Sequence, residues 1–288
     1  MAERRTDGSA WRRALAAAFL LMTRFPVPRA DKAETDPAAG LDSEIVLRRC
    51  VVLYPVVGLA IGAVLAAAGA GLGIGMRHFV PPPVAGALLM VLWVWMTGGL
   101  HLDGLMDTAD GVLSGRPRER MLEIMKDNRA GAMGVIACAL LLLVKTSLLI
   151  AWLDLLADAA LDLTAVLLVL VPVWSRWFAA AAIAGWKPAR EEGMASRFRP
   201  VRLRDAAASL AVALAVSAAA ILAASGSLVA AVLGSLAFAA ASAICGSFAA
   251  ARMARRLGGL TGDTYGALIE GLETVLLLGA VIGLAAAG

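Results

Sequence analysis

The sequence predicts an all-α fold, a polytopic membrane helix bundle of about seven transmembrane helices preceded by a short N-terminal interfacial or re-entrant helix. Three observations predict it. Hydrophobic residues make up 60% of the 288, with a mean hydropathy of +0.81, far above an ordinary soluble domain. Apolar stretches of about twenty residues, the length that crosses a hydrocarbon core ~30 Å thick, recur seven times. Finally, 23 of the 26 Lys and Arg residues fall in residues 1–50, 103–130, 185–205 and 249–266, which are alternate connections between those stretches. By the positive-inside rule these four segments are cytoplasmic. The intervening connections carry Arg77 in one and the acids Asp154, Asp158 and Asp162 in another, so the N-terminus lies inside and the C-terminus outside. Residues 1–288 read as one integral membrane domain.

Trp11 to Met22 is too short to span and is flanked by Arg12, Arg13 and Arg24, which suits a helix lying in the interface. It resembles a signal peptide in its basic start, but Arg24 and two prolines stand where a small-residue cleavage site is expected, so it is read as retained. The polar segment up to about Ser43 is a loop able to cover a site. The expected spans follow at Val51 to Gly75 and Val84 to Leu102, separated by an external turn with three consecutive prolines that no helix can continue through. Further spans are expected at Gly131 to Leu153, Thr164 to Ala184, Ala206 to Ala223, Leu228 to Phe248 and Ala267 to Ala287, with cytoplasmic loops at 185–205 and 249–266. Several are rich in Ala and Gly, which favours close helix packing in a bilayer. Cys50, Cys138 and Cys245 are isolated in or beside spans and supply neither a disulfide frame nor a CxxC metal motif. The net charge of +4 does not point to nucleic acid, because the cations sort by side of the membrane.

The densest polar chemistry is the stretch Thr97 to Gly134. Asp103, Asp107 and Asp110 are four and three residues apart, so a helix places all three carboxylates on one face. A charged stripe is ordinarily a solvated surface. These acids begin directly after an apolar run, where ionisable groups are costly unless they have a function. Carboxylate oxygens are what Mg²⁺ takes, usually alongside substrate phosphates. Gly98, Gly99, Gly104 and Gly111 remove bulk around the acids, and Arg116, Arg118, Arg120, Lys126 and Arg129 follow as partners for phosphate oxygens. Lys145 and Arg176 lie inside apolar spans, where each needs a partner or a water path; Arg176, between Trp174 and Trp177, is placed to reach a phosphate or the acids. A second set of acids enters at the start of the last span, with Asp263 and Glu270 seven residues apart on one helix face and Glu273 beyond. The two histidines are lone; His101, two residues before Asp103, is the one near the acids. The expected site therefore has Asp103, Asp107, Asp110 and Asp263 as catalytic and Mg²⁺-binding groups, Glu270 as a further metal ligand, and Arg24, Lys126, Arg129 and Arg176 on substrate phosphates.

At GGLHLDGLMDTADGV, RMLEIMKDNRAGAMG and GDTYGALIEGLE the sequence resembles the cobalamin synthase family, the adenosylcobinamide-GDP ribazoletransferases, and the likeness extends to TRFPVP near the start. The resemblance implies transfer of the cobinamide phosphate of adenosylcobinamide-GDP to alpha-ribazole or its 5′-phosphate, with release of GMP in the presence of Mg²⁺. It implies a multi-pass protein of the bacterial inner membrane, working from the cytoplasmic face with the bilayer as partner and no nucleic acid; oligomerisation is left open. Two rivals share part of the pattern. A CDP-alcohol phosphotransferase uses similar acids, but its Ala-Arg after Asp-Gly is replaced here by Leu105-Met106-Asp107. A cation transporter would carry its acids near the bilayer midplane on broken helices.

Overall fold

A computed structural model describes residues 2–26, 43–158 and 161–287. The expected loop over 27–42, the end of TRFPVP and the side chains of Asp158 and Asp162 lie outside what is described. The described residues form twelve helices: α1 (Ala2–Met22), α2 (Glu44–Val52), α3 (Tyr54–Ala70), α4 (Pro82–Thr97), α5 (Leu100–Leu113), α6 (Arg118–Ile124), α7 (Ala132–Asp158), α8 (Leu161–Gly185), α9 (Met194–Arg197), α10 (Leu203–Ser225), α11 (Leu228–Leu257) and α12 (Gly262–Ala287). A single π turn, Gly71–Gly75, prolongs α3.

Six helices are long and apolar enough to cross a membrane: Tyr54–Gly75, Ala132–Leu156, Leu163–Gly185, Leu203–Ser225, Leu228–Leu257 and Gly262–Ala286. A seventh crossing is reached only by joining α4 to α5, which meet at an 89° bend. The expected span from Val84 to Leu102 therefore ends at Thr97 instead. Gly98 and Gly99 cause the break: their φ values of 64° and 72° are left-handed, a conformation that glycine adopts without steric cost. Sixteen helical residues rise about 24 Å, short of a hydrocarbon core of ~30 Å, so the bent pair reads as a broken span or a re-entrant loop, with the acids of α5 beyond the bend.

The bundle is built around α8. Leu168, Leu170, Val171, Val173 and Trp174, spread around the helix, are fully buried, as in a helix packed on most sides. On one side α3 lies close against it, because Gly58 faces the backbone of Pro172 and Val173 and Gly62 faces that of Val169, leaving no room for a side chain. The opposite sides are closed by α10 and α12. Near the N-terminus, α1 is absent from the crossing helices, and its Trp11 ring sits 4.8 Å from the Arg49 guanidinium of α2. Arg48 of α2 grips Asp205 of α10 through Nε and Nη2 at 2.9 and 3.1 Å.

The expected loop over 249–266 is mostly helix. α11 runs 30 residues to Leu257, about 45 Å and longer than a hydrocarbon core, so Arg252, Arg255 and Arg256 ride on its projecting end. Arg255 and Arg256 also complement the negative C-terminal end of the helix dipole. The turn into α12 is pinned to the preceding loop: Ala189 N–H donates to the Leu260 carbonyl at 2.8 Å, and Leu260 N–H donates to the Lys187 carbonyl at 3.0 Å.

Candidate active site

The site forms where α5 crosses α12. A Cβ added to Gly104 would stand 2.7 Å from the Asp263 carbonyl, and one added to Gly266 would stand 3.0 Å from the His101 carbonyl. The two backbones thus touch through glycine. Asp103 and Asp107 on α5 are thereby brought to the first turn of α12, where Asp263 sits. That turn is set by reciprocal bonds: Thr261 N–H donates to Thr264 Oγ1 at 2.9 Å, and Thr264 N–H to Thr261 Oγ1 at 3.3 Å. Thr261 Oγ1 also donates to Asp263 Oδ2 at 3.2 Å.

Asp103 is exposed and Asp107 half-buried. Burial, and after it the negative charges of Asp103, Asp263 and Asp110, push the Asp107 carboxyl up to about 6, with Arg190 opposing. Negative charge is therefore in excess around Asp107, and the donors are hard carboxylate oxygens, a set suited to Mg²⁺. Among the described residues, no three acid, histidine or cysteine side chains stand close enough to make a metal shell on their own. Mg²⁺ ordinarily keeps several waters and takes one or two carboxylates plus substrate phosphates, so an incomplete protein shell fits that ion.

Asp110 is used differently from its neighbours. Its Oδ2 accepts from Gly131 N–H at 2.8 Å and its Oδ1 from Gly134 N–H at 2.7 Å, which anchors the start of α7. Any side chain at Gly131 or Gly134 would overlap this carboxylate. The three-acid stripe therefore divides: Asp103 and Asp107 stand with Asp263, while Asp110 is fastened to a neighbouring helix.

A cavity of about 350 Å³ opens beside these acids. Asp103, Asp263 and His101 line it on one side, and Tyr54, Ile183 and Phe198 are among its largely apolar remaining walls. His101 is buried, with no hydrogen-bond partner for Nδ1.

The expected cations distribute unevenly. Arg24 lies along Gly98 at the α4–α5 elbow, with its N–H donating to the Met96 carbonyl at 2.7 Å. Lys126 is exposed and does not line the cavity. Arg129 is also away from it, 89% exposed and paired with Asp127 of its own turn at 2.7 Å, which holds the Asp127 carboxyl down at about 2. Arg176, expected on phosphate, is buried and pairs with Glu273, and its Nη1 also donates to Ser175 Oγ at 3.0 Å. Likewise Glu270, expected as a metal ligand, accepts from Lys145 Nζ at 2.8 Å. Lys145 also pairs with Glu273 and stands 4.0 Å from the centre of the Trp93 ring. Two cations and two acids thus neutralise one another inside the bundle, below the acids of the site.

The cation that sequence reasoning passed over is Arg190. Its charge acts on both Asp107 and Asp263, and its Nη2 donates to the Leu122 carbonyl at 2.7 Å. The signal was slight: it is one of six cations in the 185–205 loop. What singles it out is the pinning of Lys187 and Ala189 to Leu260, immediately before α12.

The profile of the cobalamin-5-phosphate synthase family matches residues 14–281. A protein of Roseiflexus sp. strain RS-1 described as an adenosylcobinamide-GDP ribazoletransferase is 40% identical over 252 residues, 84% of this chain and 83% of its own. Proteins with the same description from Desulfitobacterium hafniense strain Y51 and Herpetosiphon aurantiacus are 35% and 40% identical, covering 93% and 91% of this chain and 96% and 94% of theirs. No solved structure matches. With the family profile spanning residues 14–281 and relatives 35–40% identical over most of the chain, the chain belongs to the cobalamin-5-phosphate synthase family.

Proposed function

We propose that this multi-pass membrane protein transfers the cobinamide phosphate of adenosylcobinamide-GDP to alpha-ribazole or its 5′-phosphate, releasing GMP, with Mg²⁺ as cofactor. The observation that carries the reading is the Gly104–Gly266 crossing, which sets Asp103 and Asp263 in the wall of one cavity, with Asp107 near enough on α5 to feel both charges. In the reaction a ribose hydroxyl oxygen bonds to the phosphorus bearing the cobinamide, and the bond from that phosphorus to GMP breaks. Bound Mg²⁺ would neutralise charge on the pyrophosphate oxygens, the main electrostatic demand of phosphoryl transfer. Asp103, Asp107 and Asp263 would hold it, and Arg190, whose charge acts on Asp107 and Asp263, would meet phosphate oxygens together with Arg24. One of the same carboxylates takes the hydroxyl proton. The acid face lies on the cytoplasmic side of the inner membrane, a reading that rests on cation asymmetry.

Purified protein in detergent should release GMP from adenosylcobinamide-GDP when an acceptor and Mg²⁺ are supplied, without any ion gradient. Asp103→Asn and Asp263→Asn keep side-chain size and remove charge, so each should lower kcat by about a hundredfold or more. Near-normal turnover in both variants would sink this assignment of the acids.

A further inference from the structure

The cavity beside the acids is the wrong size and polarity for most of the donor substrate and well matched to one part of the acceptor. At about 350 Å³ it lies at the small end of the ~300 to 1,000 Å³ typical of small-molecule sites. A corrin ring with its amide side chains is far too large to enter. The guanine of the donor would enter, but guanine carries several donors and acceptors along its edge. Asp103 and Asp263 can accept only from its N–H groups, and its O6 and N7 acceptors would face the aromatic and aliphatic walls formed by Tyr54, Ile183, Phe198 and Ile269 unpartnered, which weakens binding. The dimethylbenzimidazole of alpha-ribazole presents two methyl groups, a flat apolar ring and a single acceptor nitrogen. The cavity offers largely apolar walls, the carboxylates of Asp103 and Asp263 on one side, and one imidazole, that of the buried His101.

Resting on the transferase reading above, we propose that this cavity is the acceptor subsite: it holds the benzimidazole base of alpha-ribazole, with the His101 imidazole donating a hydrogen bond to the ring nitrogen. The ribose then lies at the mouth, beside Asp103 and Asp263, where its hydroxyl meets the donor phosphate. His101 is a specificity residue in this arrangement. It touches the base and none of the reacting atoms. The corrinoid stays outside the cavity, on the exposed side of the acids.

The test is equilibrium binding of three nucleosides to the detergent-purified full chain, without donor or Mg²⁺: alpha-ribazole, benzimidazole riboside lacking both methyls, and 5,6-dimethylindole riboside lacking the acceptor nitrogen. Removing two buried methyls, or one hydrogen bond to a buried partner, should each weaken binding by about tenfold. His101→Phe should bind alpha-ribazole and the indole analogue equally weakly. Ala179→Phe, which fills the cavity from α8, should raise the KM for alpha-ribazole by at least about tenfold and leave the KM for adenosylcobinamide-GDP unchanged. Because the ligand series is read on the unaltered protein, a variant that fails to fold does not remove the test. Equal affinity for all three nucleosides, no binding of alpha-ribazole, or a rise confined to the KM of the donor in Ala179→Phe would each overturn the assignment. Selective binding of alpha-ribazole by a protein that releases no GMP would support the subsite and refute the transferase reading instead.

Discussion

Asp110 and Asp107 show how two acids of the same stripe acquire different work. Asp110 spends both oxygens on backbone N–H groups at the start of α7, so its removal should act on stability first. Asp110→Ala strands two donors and deletes a cap, a loss of about 1 to 3 kcal/mol. Thermal unfolding in detergent should show it, and Asp110→Asn, which keeps one acceptor oxygen, should be milder. Full loss of activity in Asp110→Ala at an unchanged melting temperature would move Asp110 into the metal shell. Asp107 has the opposite character, since burial and neighbouring acids push its carboxyl up from 3.8 to about 6. The folded protein therefore binds this proton more tightly than the unfolded chain does, and its contribution to stability declines as pH rises from about 4 to about 6. Below pH 6 the proton also competes with a cation for the same oxygens. The Mg²⁺ concentration giving half-maximal GMP release should accordingly climb as pH falls through 6, and Asp107→Asn should remove that inflection. The acid stripe was legible from spacing alone. The diversion of Asp110 was not, because its partners, Gly131 and Gly134, are more than twenty residues away in sequence.

Between elements, the crossing of α5 and α12 decides whether a site exists at all. Gly104 meets the Asp263 backbone with no space for a side chain, so Gly104→Val should push the helices apart and separate Asp103 and Asp107 from Asp263. Turnover should drop by at least about tenfold with helical content retained. Gly271→Ala is the control on α12, because an added Cβ there meets nothing within 4 Å, and it should keep normal activity. Equal activity in the two variants would show that the crossing does not set the site geometry. The elbow between α4 and α5 belongs to the same scale. A hydropathy window reads continuously from Val84 through Leu102, and Gly98-Gly99 inside it looks like ordinary membrane glycine until both residues are seen to be left-handed. The bend turns what would have been the lower part of a membrane span into a helix able to carry acids.

For the whole molecule, sidedness is the governing prediction. In a cysteine-free background, His78→Cys in the turn before α4 should react with an impermeant thiol reagent applied to intact cells. Ser114→Cys at the end of α5 should react only after the membrane is opened. Labelling of Ser114→Cys from outside would invert the molecule and put the acids on the wrong side for a cytoplasmic nucleotide substrate. By itself the sequence determined the helical class, the spans to within a few residues at most ends, the acid motifs and the family likeness. These are local or compositional properties: an apolar run of the right length crosses a bilayer whatever lies beside it, and helical spacing fixes which residues share a face. The tertiary structure alone decided which charges neutralise which. Lys145, Arg176, Glu270 and Glu273 come from three helices and form one buried ion-pair network, which gives the expected site residues Arg176 and Glu270 partners within the bundle. Arg190, inconspicuous among loop cations, was brought toward the acids instead. A charge in a low-dielectric interior is governed by whatever lies within a few ångströms of it, and in a bundle those neighbours come from helices far apart in sequence.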